Sequence, residues 1–146
     1  MISPYFGKFT ITQVYKQYKH DGLDLVGIDT KDIHSVSDGV VIHASKDSRW
    51  GFGLYVAVEI ENGDVWYYGH LSEICVKVGD KVKTGDLLGV EGNTGNSRGS
   101  HLHICYRVGG EMWKDKDCSK LLDIPNAVIE GKYYEYKQKK SRKKKE

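Results

Sequence analysis

The chain has 146 residues, a length typical of one domain and sufficient to bury a hydrophobic core without disulfides or a structural metal. Hydrophobic residues make up 39% and charged residues 29%, a balance that excludes a wholly disordered or fibrous chain. The longest apolar run, at 54–58, has the length of a strand, so we expect no membrane insertion. Seventeen glycines and only two prolines favour a turn-rich β domain.

Charge is distributed unevenly along the chain. The net formal charge is +2, but residues 131–146 carry +6, which leaves −4 for the rest of the chain. We predict one domain over residues 1–128 and a basic, disordered tail over residues 129–146. The tail is either a solvated end or a weak electrostatic contact for anionic polymers. No motif for specific nucleic-acid binding accompanies it.

Short strands separated by turns are predicted for the body, which gives a mainly antiparallel β domain. No segment has helical periodicity over three turns, although residues 8–19 and 117–123 are each compatible with a short helix. Asn62-Gly63 is a hairpin signal between two of the strands. In chain order, the strands are expected at residues 40–44, 53–60, 65–68, 76–90 and 101–108.

The cysteines and the first residues bear on the compartment. Three cysteines are an odd number, and their spacing matches neither a disulfide framework nor a zinc knuckle, so a reducing compartment is expected. The chain begins without a basic segment followed by an apolar one. We therefore expect synthesis in the cytoplasm without a signal peptide.

Two histidine motifs are candidates for metal chemistry. His20 and Asp24 are four residues apart and share a face on a strand, which supplies half of a catalytic zinc site. Taken alone, this pair is more simply an exposed polar pair. His101 and His103 flank Leu102 in a predicted strand, so both imidazoles project from one face. A shared metal and an exposed polar face explain that second pair equally well.

The remaining histidines are less distinctive. His70 ends the aromatic strand, where it either caps a turn or reaches into the same cleft as the other histidines. His34 and His43 have no histidine or carboxylate at a useful spacing, so we interpret both as ordinary surface or satisfied histidines.

Taken together, the motifs resemble one known family. H-x-G-x-D at 20–24, Y-G-H-L-S at 68–72 and G-x-T-G-N-S-x-G-S-H-L-H at 92–103 occur in this order. Over about residues 18–123, the sequence resembles the lysostaphin/LytM-type zinc endopeptidases. The matching stretches between these motifs are S-D-G-V-V at 37–41, G-F-G-L-Y-V-A-V at 51–58 and V-x-x-G-D-x-V-x-x-G-D-L-L-G at 76–89.

The resemblance implies both a fold and a site. The fold is a compact antiparallel β sandwich, or barrel-sandwich hybrid built on a duplicated hybrid motif, with an open groove holding zinc. One Zn²⁺ per chain is held by His20, Asp24 and His103, while His70 and His101 face water and substrate. Two imidazoles and one carboxylate leave a fourth position open, as in catalytic zinc sites. His101 is the expected general base, and His70 is expected to stabilise the oxyanion or shuttle protons.

The resemblance also implies a substrate and a site of action. The family cleaves peptide bonds of bacterial peptidoglycan, in cross-bridges or stem peptides, so we expect a monomeric wall hydrolase whose tail is attracted to anionic wall polymers. Without a signal peptide, the enzyme needs another route from the cytoplasm to the cell wall. A phage lysis enzyme or a virion component would have such a route. The alternatives are a non-catalytic peptidoglycan-binding or regulatory member of the same fold, and a hybrid-barrel carrier domain.

Two positions depart from the family pattern. Ser100 stands where the family usually has proline, which loosens the loop but removes no ligand. Ile104-Cys105 stands where the family usually has an aromatic residue followed by an acid. By strand alternation, Cys105 shares a face with His103, either as a half-buried thiol or as an oxidation-sensitive thiol near the zinc.

Overall fold

The computed structural model describes residues 3–47, 51–128 and 134–136. These residues form eleven strands and one 3₁₀ turn at Val108–Gly110, which confirms the predicted mainly antiparallel β fold. Nowhere among them does a helix have the length and apolar character needed to cross a membrane. The strands are β1 Gly7–Gln13, β2 Gly22–Gly27, β3 Asp32–His34, β4 Gly39–Asp47, β5 Gly53–Glu59, β6 Val65–Ile74, β7 Lys81–Val82, β8 Leu87–Glu91, β9 Leu102–Arg107, β10 Asp115–Lys116 and β11 Tyr134–Tyr136.

One antiparallel sheet connects all of these strands. Its main order is β11-β1-β2-β9-β6-β5-β4-β7, with β8 also paired to β6, β3 to β8 and β10 to β9. The central strand β9 is paired with β2 on one side and with β6 on the other. The three histidine motifs therefore reach the same part of the sheet, although they are far apart in sequence.

The two short helices that the sequence allowed, at residues 8–19 and 117–123, do not form. Residues 8–19 contain β1, in which Phe9 and Ile11 are buried and their neighbours are more exposed. This period of two, together with the β-branched Thr-Ile-Thr run, favours a strand over a helix. Residues 119–123 form turns that end at Asp123, whose φ is +57°.

Part of the predicted tail is a strand. Residues 134–136 form β11 and pair in antiparallel register with residues 7–9 of β1. Residues 129–133 and 137–146 lie outside the described residues, and the domain boundary at residue 128 stays a prediction.

Side chains along β2 and β9 point alternately into the core and into the cleft. Leu23 and Leu25 of β2, and Leu102 and Ile104 of β9, are fully buried in the main core. The residues between them therefore point to the opposite face, because successive side chains on a strand alternate. Asp24 and His103 are of this second kind, and the two are direct register partners.

Gly22 allows β2 to lie close against β9. It pairs with Cys105, and a Cβ at position 22 would lie 2.1 Å from the Ile104 carbonyl oxygen and 2.8 Å from the Cys105 Cβ. The glycine of H-x-G-x-D is therefore required by the close approach of two strands, two residues before Asp24.

Gly22→Ala is expected to lower the free energy of unfolding by about 1–3 kcal/mol, because the added methyl overlaps backbone that cannot move without disturbing the sheet. Urea denaturation of metal-free protein measures this change. Gly99→Ala is the matched control, since a Cβ there meets nothing within 4 Å. Equal stabilities for the two variants would contradict the close-approach argument.

Candidate metal centre and active-site cleft

Three of the predicted residues form a compact cluster. Asp24 Oδ1 lies 3.2 Å from His20 Nε2 and 2.9 Å from His103 Nδ1. His20 is placed in the turn before β2 by an antiparallel bridge with Lys16, whereas Asp24 and His103 face each other across β2 and β9. The ligand atoms of all three residues lie within 4.8 Å of one another.

The donor set and its spacing suit a zinc ion. Zinc prefers nitrogen and oxygen donors of this kind, and atoms bound to a tetrahedral zinc are roughly 3.3–3.6 Å apart. The two separations from Asp24 Oδ1, 3.2 and 2.9 Å, are close to that range, so little movement is needed to admit an ion. These residues therefore fit the zinc that the sequence resemblance implies.

The two other predicted histidines lie in the same cleft. The rings of His70 and His101 are 4.7 Å apart between centroids, and His101 Nε2 is 3.5 Å from Asp24 Oδ2. His70 and His103 have ring centroids 6.1 Å apart. All five residues line one cleft of about 960 Å³, whose wall also includes the exposed aromatic residues Tyr18 and Trp113.

Backbone carbonyls orient three of the four cleft histidines. The Nδ1 atom lies 2.8 Å from the carbonyl oxygen of Val14 for His20, of Thr94 for His70 and of Gly99 for His101. A carbonyl only accepts hydrogen bonds, so Nδ1 carries the proton in each ring. In the neutral imidazoles, Nε2 is then left with a lone pair for a metal or a proton.

His70 is held tightly at a strained position. Its φ is +64°, its backbone N–H donates to the Phe52 carbonyl over 2.6 Å, and its ring is fixed by Thr94. Burial lowers the pKa of His70 below its usual value, so the ring is neutral at pH 7 and can accept a proton.

His103 is oriented differently from the other three histidines. Its Nδ1 faces Asp24, and its Nε2 donates over 2.8 Å to Asp21 Oδ1. Burial alone would lower the pKa of His103, but hydrogen bonds to the two carboxylates outweigh it and raise the pKa well above the usual value. Burial would raise the pKa values of Asp21 and Asp24, yet hydrogen bonds to His103 keep both pKa values well below the usual range, helped by Arg107 at Asp21 and by His20 at Asp24.

Several residues of the site were not predicted from the sequence. Asp21, whose other oxygen accepts a hydrogen bond from Arg107, lies inside the H-x-G-x-D motif but at one of its variable positions. Thr94 holds the His70 ring through its carbonyl oxygen. Neither residue carries a signal in the sequence, because both contacts depend on strand pairing: Gly22 pairs with Cys105, which brings the preceding Asp21 beside β9.

The two departures from the family pattern are accommodated in different ways. Ser100 donates a 2.6 Å hydrogen bond to Glu91 Oε2, which restrains the loop just before His101. Cys105 is fully buried beside His103, and burial raises its thiol pKa above the usual value. This favours the interpretation of Cys105 as a buried, protonated thiol over a reactive thiolate.

Comparison with known proteins decides the family. A sequence model described as Peptidase family M23 matches residues 18–114, about two thirds of the chain and all five clustered residues. The chain belongs to peptidase family M23. The family match agrees with the resemblance to lysostaphin/LytM-type enzymes that the motifs indicated.

Individual relatives of the M23 chain include wall-degrading enzymes. Endolysin 2638A of Staphylococcus phage 2638A is 36% identical over 93 residues, covering 60% of this chain and 19% of the relative. Peptidoglycan DD-endopeptidase ShyA of Vibrio cholerae is 37% identical over 91 residues, covering 62% of this chain and 21% of the relative. The M23 chain thus spans about a fifth of the length of either relative.

A solved structure supports the fold. The antimicrobial peptidase lysostaphin from Staphylococcus simulans superposes with a TM-score of 0.71 and 31% identity, over 79% of this chain and 49% of that one. The compact antiparallel β architecture expected of the M23 chain is therefore confirmed.

Thr94→Val is expected to lower the free energy of unfolding by about 1–3 kcal/mol, because two part-buried hydrogen bonds are lost. The Thr94 hydroxyl donates to the Leu71 carbonyl over 2.6 Å and accepts from the Leu54 N–H over 3.0 Å. Urea denaturation measures the change, and Thr94→Ser, which keeps the hydroxyl, should lose less than about 1 kcal/mol. A valine variant as stable as the serine variant would contradict this role for the hydroxyl.

Proposed function

We propose that this M23 chain is a zinc-dependent endopeptidase that hydrolyses peptide bonds of bacterial peptidoglycan. The observation that carries the proposal is the convergence of His20, Asp24 and His103 on one point of a cleft that also holds His70 and His101. A three-residue N/O donor set with space beside it is the pattern of catalytic rather than structural zinc sites.

His20 Nε2, Asp24 Oδ1 and His103 Nδ1 are the atoms that would hold the ion. Bound zinc would supply Lewis acidity, which polarises the scissile carbonyl and makes water more acidic. The protein groups around it must then bind the peptide and move two protons. One proton leaves the attacking water, and one reaches the amine that departs.

His101 is the proposed general base. Its Nδ1–H donates to the Gly99 carbonyl, so the neutral ring has a lone pair on Nε2, and that atom lies 3.5 Å from Asp24 Oδ2 at the edge of the cluster. An imidazole at this place can take a proton from water beside the ion. The nearby Asp24 carboxylate then stabilises the resulting positive charge.

His70 is the proposed proton carrier on the other side of the cleft. Its lowered pKa and its Nδ1 contact with Thr94 leave Nε2 as an acceptor at pH 7. Two roles were expected for His70 from the sequence. A neutral ring with a free lone pair on Nε2 favours the first step of proton shuttling, which is to accept a proton. Once protonated, the same ring can donate a hydrogen bond to a developing oxyanion.

The proposed substrate is a peptide segment of peptidoglycan, in a cross-bridge or a stem peptide. Support comes from the named activity of the Vibrio relative and from the shape of the cleft, which Tyr18 and Trp113 line with exposed aromatic surface. We propose action at the bacterial cell wall, and similarity to a phage endolysin supports a phage-type route to it. A non-catalytic member of the fold would have no need of all five clustered side chains.

Purified Gram-positive cell walls should lose turbidity in the presence of the protein, stop clearing after a chelator is added and clear again when Zn²⁺ is restored. The reason is that the two imidazoles and the carboxylate cannot activate water without the ion. Mass spectrometry of the released peptides then identifies the cleaved bond from its new amine end. Zinc-loaded protein that clears no wall type would refute the proposed activity and favour a binding role.

His101→Ala is expected to reduce the rate of wall clearing by roughly 10²–10⁴-fold, the usual contribution of a general base. Zinc content should stay near one ion per chain, because His101 is not among the three ligands. His43→Ala is the matched control, since His43 is exposed and does not line the cleft. An active His101→Ala protein would remove the proposed base from the mechanism.

A further inference from the structure

Asp21 links the buried side of His103 to a buried arginine. Its Oδ1 accepts a hydrogen bond from His103 Nε2 over 2.8 Å, and its Oδ2 accepts one from Arg107 over 2.8 Å. Both oxygens of one carboxylate are therefore engaged at the same time, each by a side chain of β9. The other ring nitrogen of His103, Nδ1, is directed at Asp24 Oδ1.

This arrangement sets His103 apart from the other cleft histidines. His20, His70 and His101 are each oriented by a backbone carbonyl at Nδ1, whereas His103 is oriented by a carboxylate at Nε2. A carboxylate carries a full negative charge, so it both fixes the ring and raises the basicity of the opposite nitrogen. A carboxylate at Nε2 should therefore strengthen metal binding at Nδ1 more than a backbone carbonyl would.

We propose that Asp21 is a positioning residue that holds the His103 ring with Nδ1 toward His20 and Asp24 and thereby tightens zinc binding. The inference rests on the proposed function only in taking zinc as the ion of the site. It extends that function from the three ligands to a carboxylate–histidine–metal relay in which Asp21 acts on the ion through His103 and is not itself one of the three ligands.

The surroundings of Arg107 explain why Asp21 is held firmly. The guanidinium carbon lies 5.5 Å from the Phe52 ring centroid and 4.6 Å from that of Tyr67, and only 4% of the side chain is exposed. A buried guanidinium packed against two adjacent aromatic rings has little freedom to move. The carboxylate that bridges it to His103 is consequently fixed at both oxygens.

The backbone explains why residue 21 can reach this position. Gly22 lies against Ile104 and Cys105 with no room for a Cβ, so β2 begins in close contact with β9. The side chain immediately before Gly22 is then carried to the edge of β9, beside both His103 and Arg107. Asp21 keeps 31% of its side chain exposed, so its removal leaves a gap that water can fill.

The test measures zinc affinity rather than activity. Metal-free protein of the given 146 residues is titrated with Zn²⁺ in competition with a chromogenic chelator of known affinity. The variants are Asp21→Ala, Arg107→Met, the double variant, and Asp32→Ala as a control that removes an exposed aspartate outside the cleft. Arg107→Met removes the buried charge, so the double variant contains no arginine deprived of its carboxylate.

Asp21→Ala is expected to raise the zinc Kd by about 10–100-fold, the usual effect of removing such an outer carboxylate, with Asp32→Ala unchanged. Arg107→Met keeps the Asp21–His103 hydrogen bond and should raise the Kd by less than about tenfold. The double variant should then bind zinc at least about tenfold more weakly than Arg107→Met alone. A downfield His103 Nε2–H proton resonance of the zinc-loaded protein should persist in Arg107→Met and disappear in the double variant.

Equal zinc affinity in the double variant and in Arg107→Met would overturn the inference, because Asp21 would then serve only to neutralise Arg107. The comparison of these two proteins remains valid even if Asp21→Ala alone fails to fold. Wild-type protein that binds no zinc would refute the cofactor of the proposed function and, with it, this relay. Wild-type protein that binds zinc but cleaves no wall would leave the affinity test of Asp21 fully informative.

Discussion

The register between β2 and β9 is the constraint on which the site depends. Asp24 lies directly opposite His103 in that register, and His103 lies opposite Gly69 on the other neighbour, one residue before His70. A shift of one residue would turn the carboxylate into the core and a leucine into the cleft. The buried leucines of the two strands prevent this shift, so the hydrophobic core and the metal ligands are specified by the same alternation.

Sequence reasoning reached the parts of the site that local pattern encodes. The alternation of His101, Leu102 and His103 predicted two imidazoles on one face, and the aromatic run predicted the strand that ends near His70. That His20 and Asp24 join them came from the resemblance, because no local pattern links residues that are about 80 positions apart. Their meeting is a product of strand order, which a single sequence does not display.

The features that sequence reasoning missed are contacts made by ordinary-looking residues. Asp21 reaches His103 across 82 positions and Thr94 reaches His70 across 24, and neither is marked by an unusual composition around it. The error at residues 8–19 has a different cause. The alternation in β1 favours a strand but covers only a few positions, and the pairing partners of that strand lie far away in sequence, at residues 24–27 and 134–136.

A buried carboxylate away from the cluster ties distant segments to the cleft. Glu91 accepts hydrogen bonds from the Tyr5 hydroxyl, from the Gly27 backbone N–H over 2.9 Å and from the Ser100 hydroxyl over 2.6 Å. Replacing Glu91 alone would leave the buried Tyr5 hydroxyl without this acceptor, which is more costly than losing donor and acceptor together. Positions 5 and 91 should therefore be inherited together, so that homologues which lack the acid also lack the tyrosine hydroxyl.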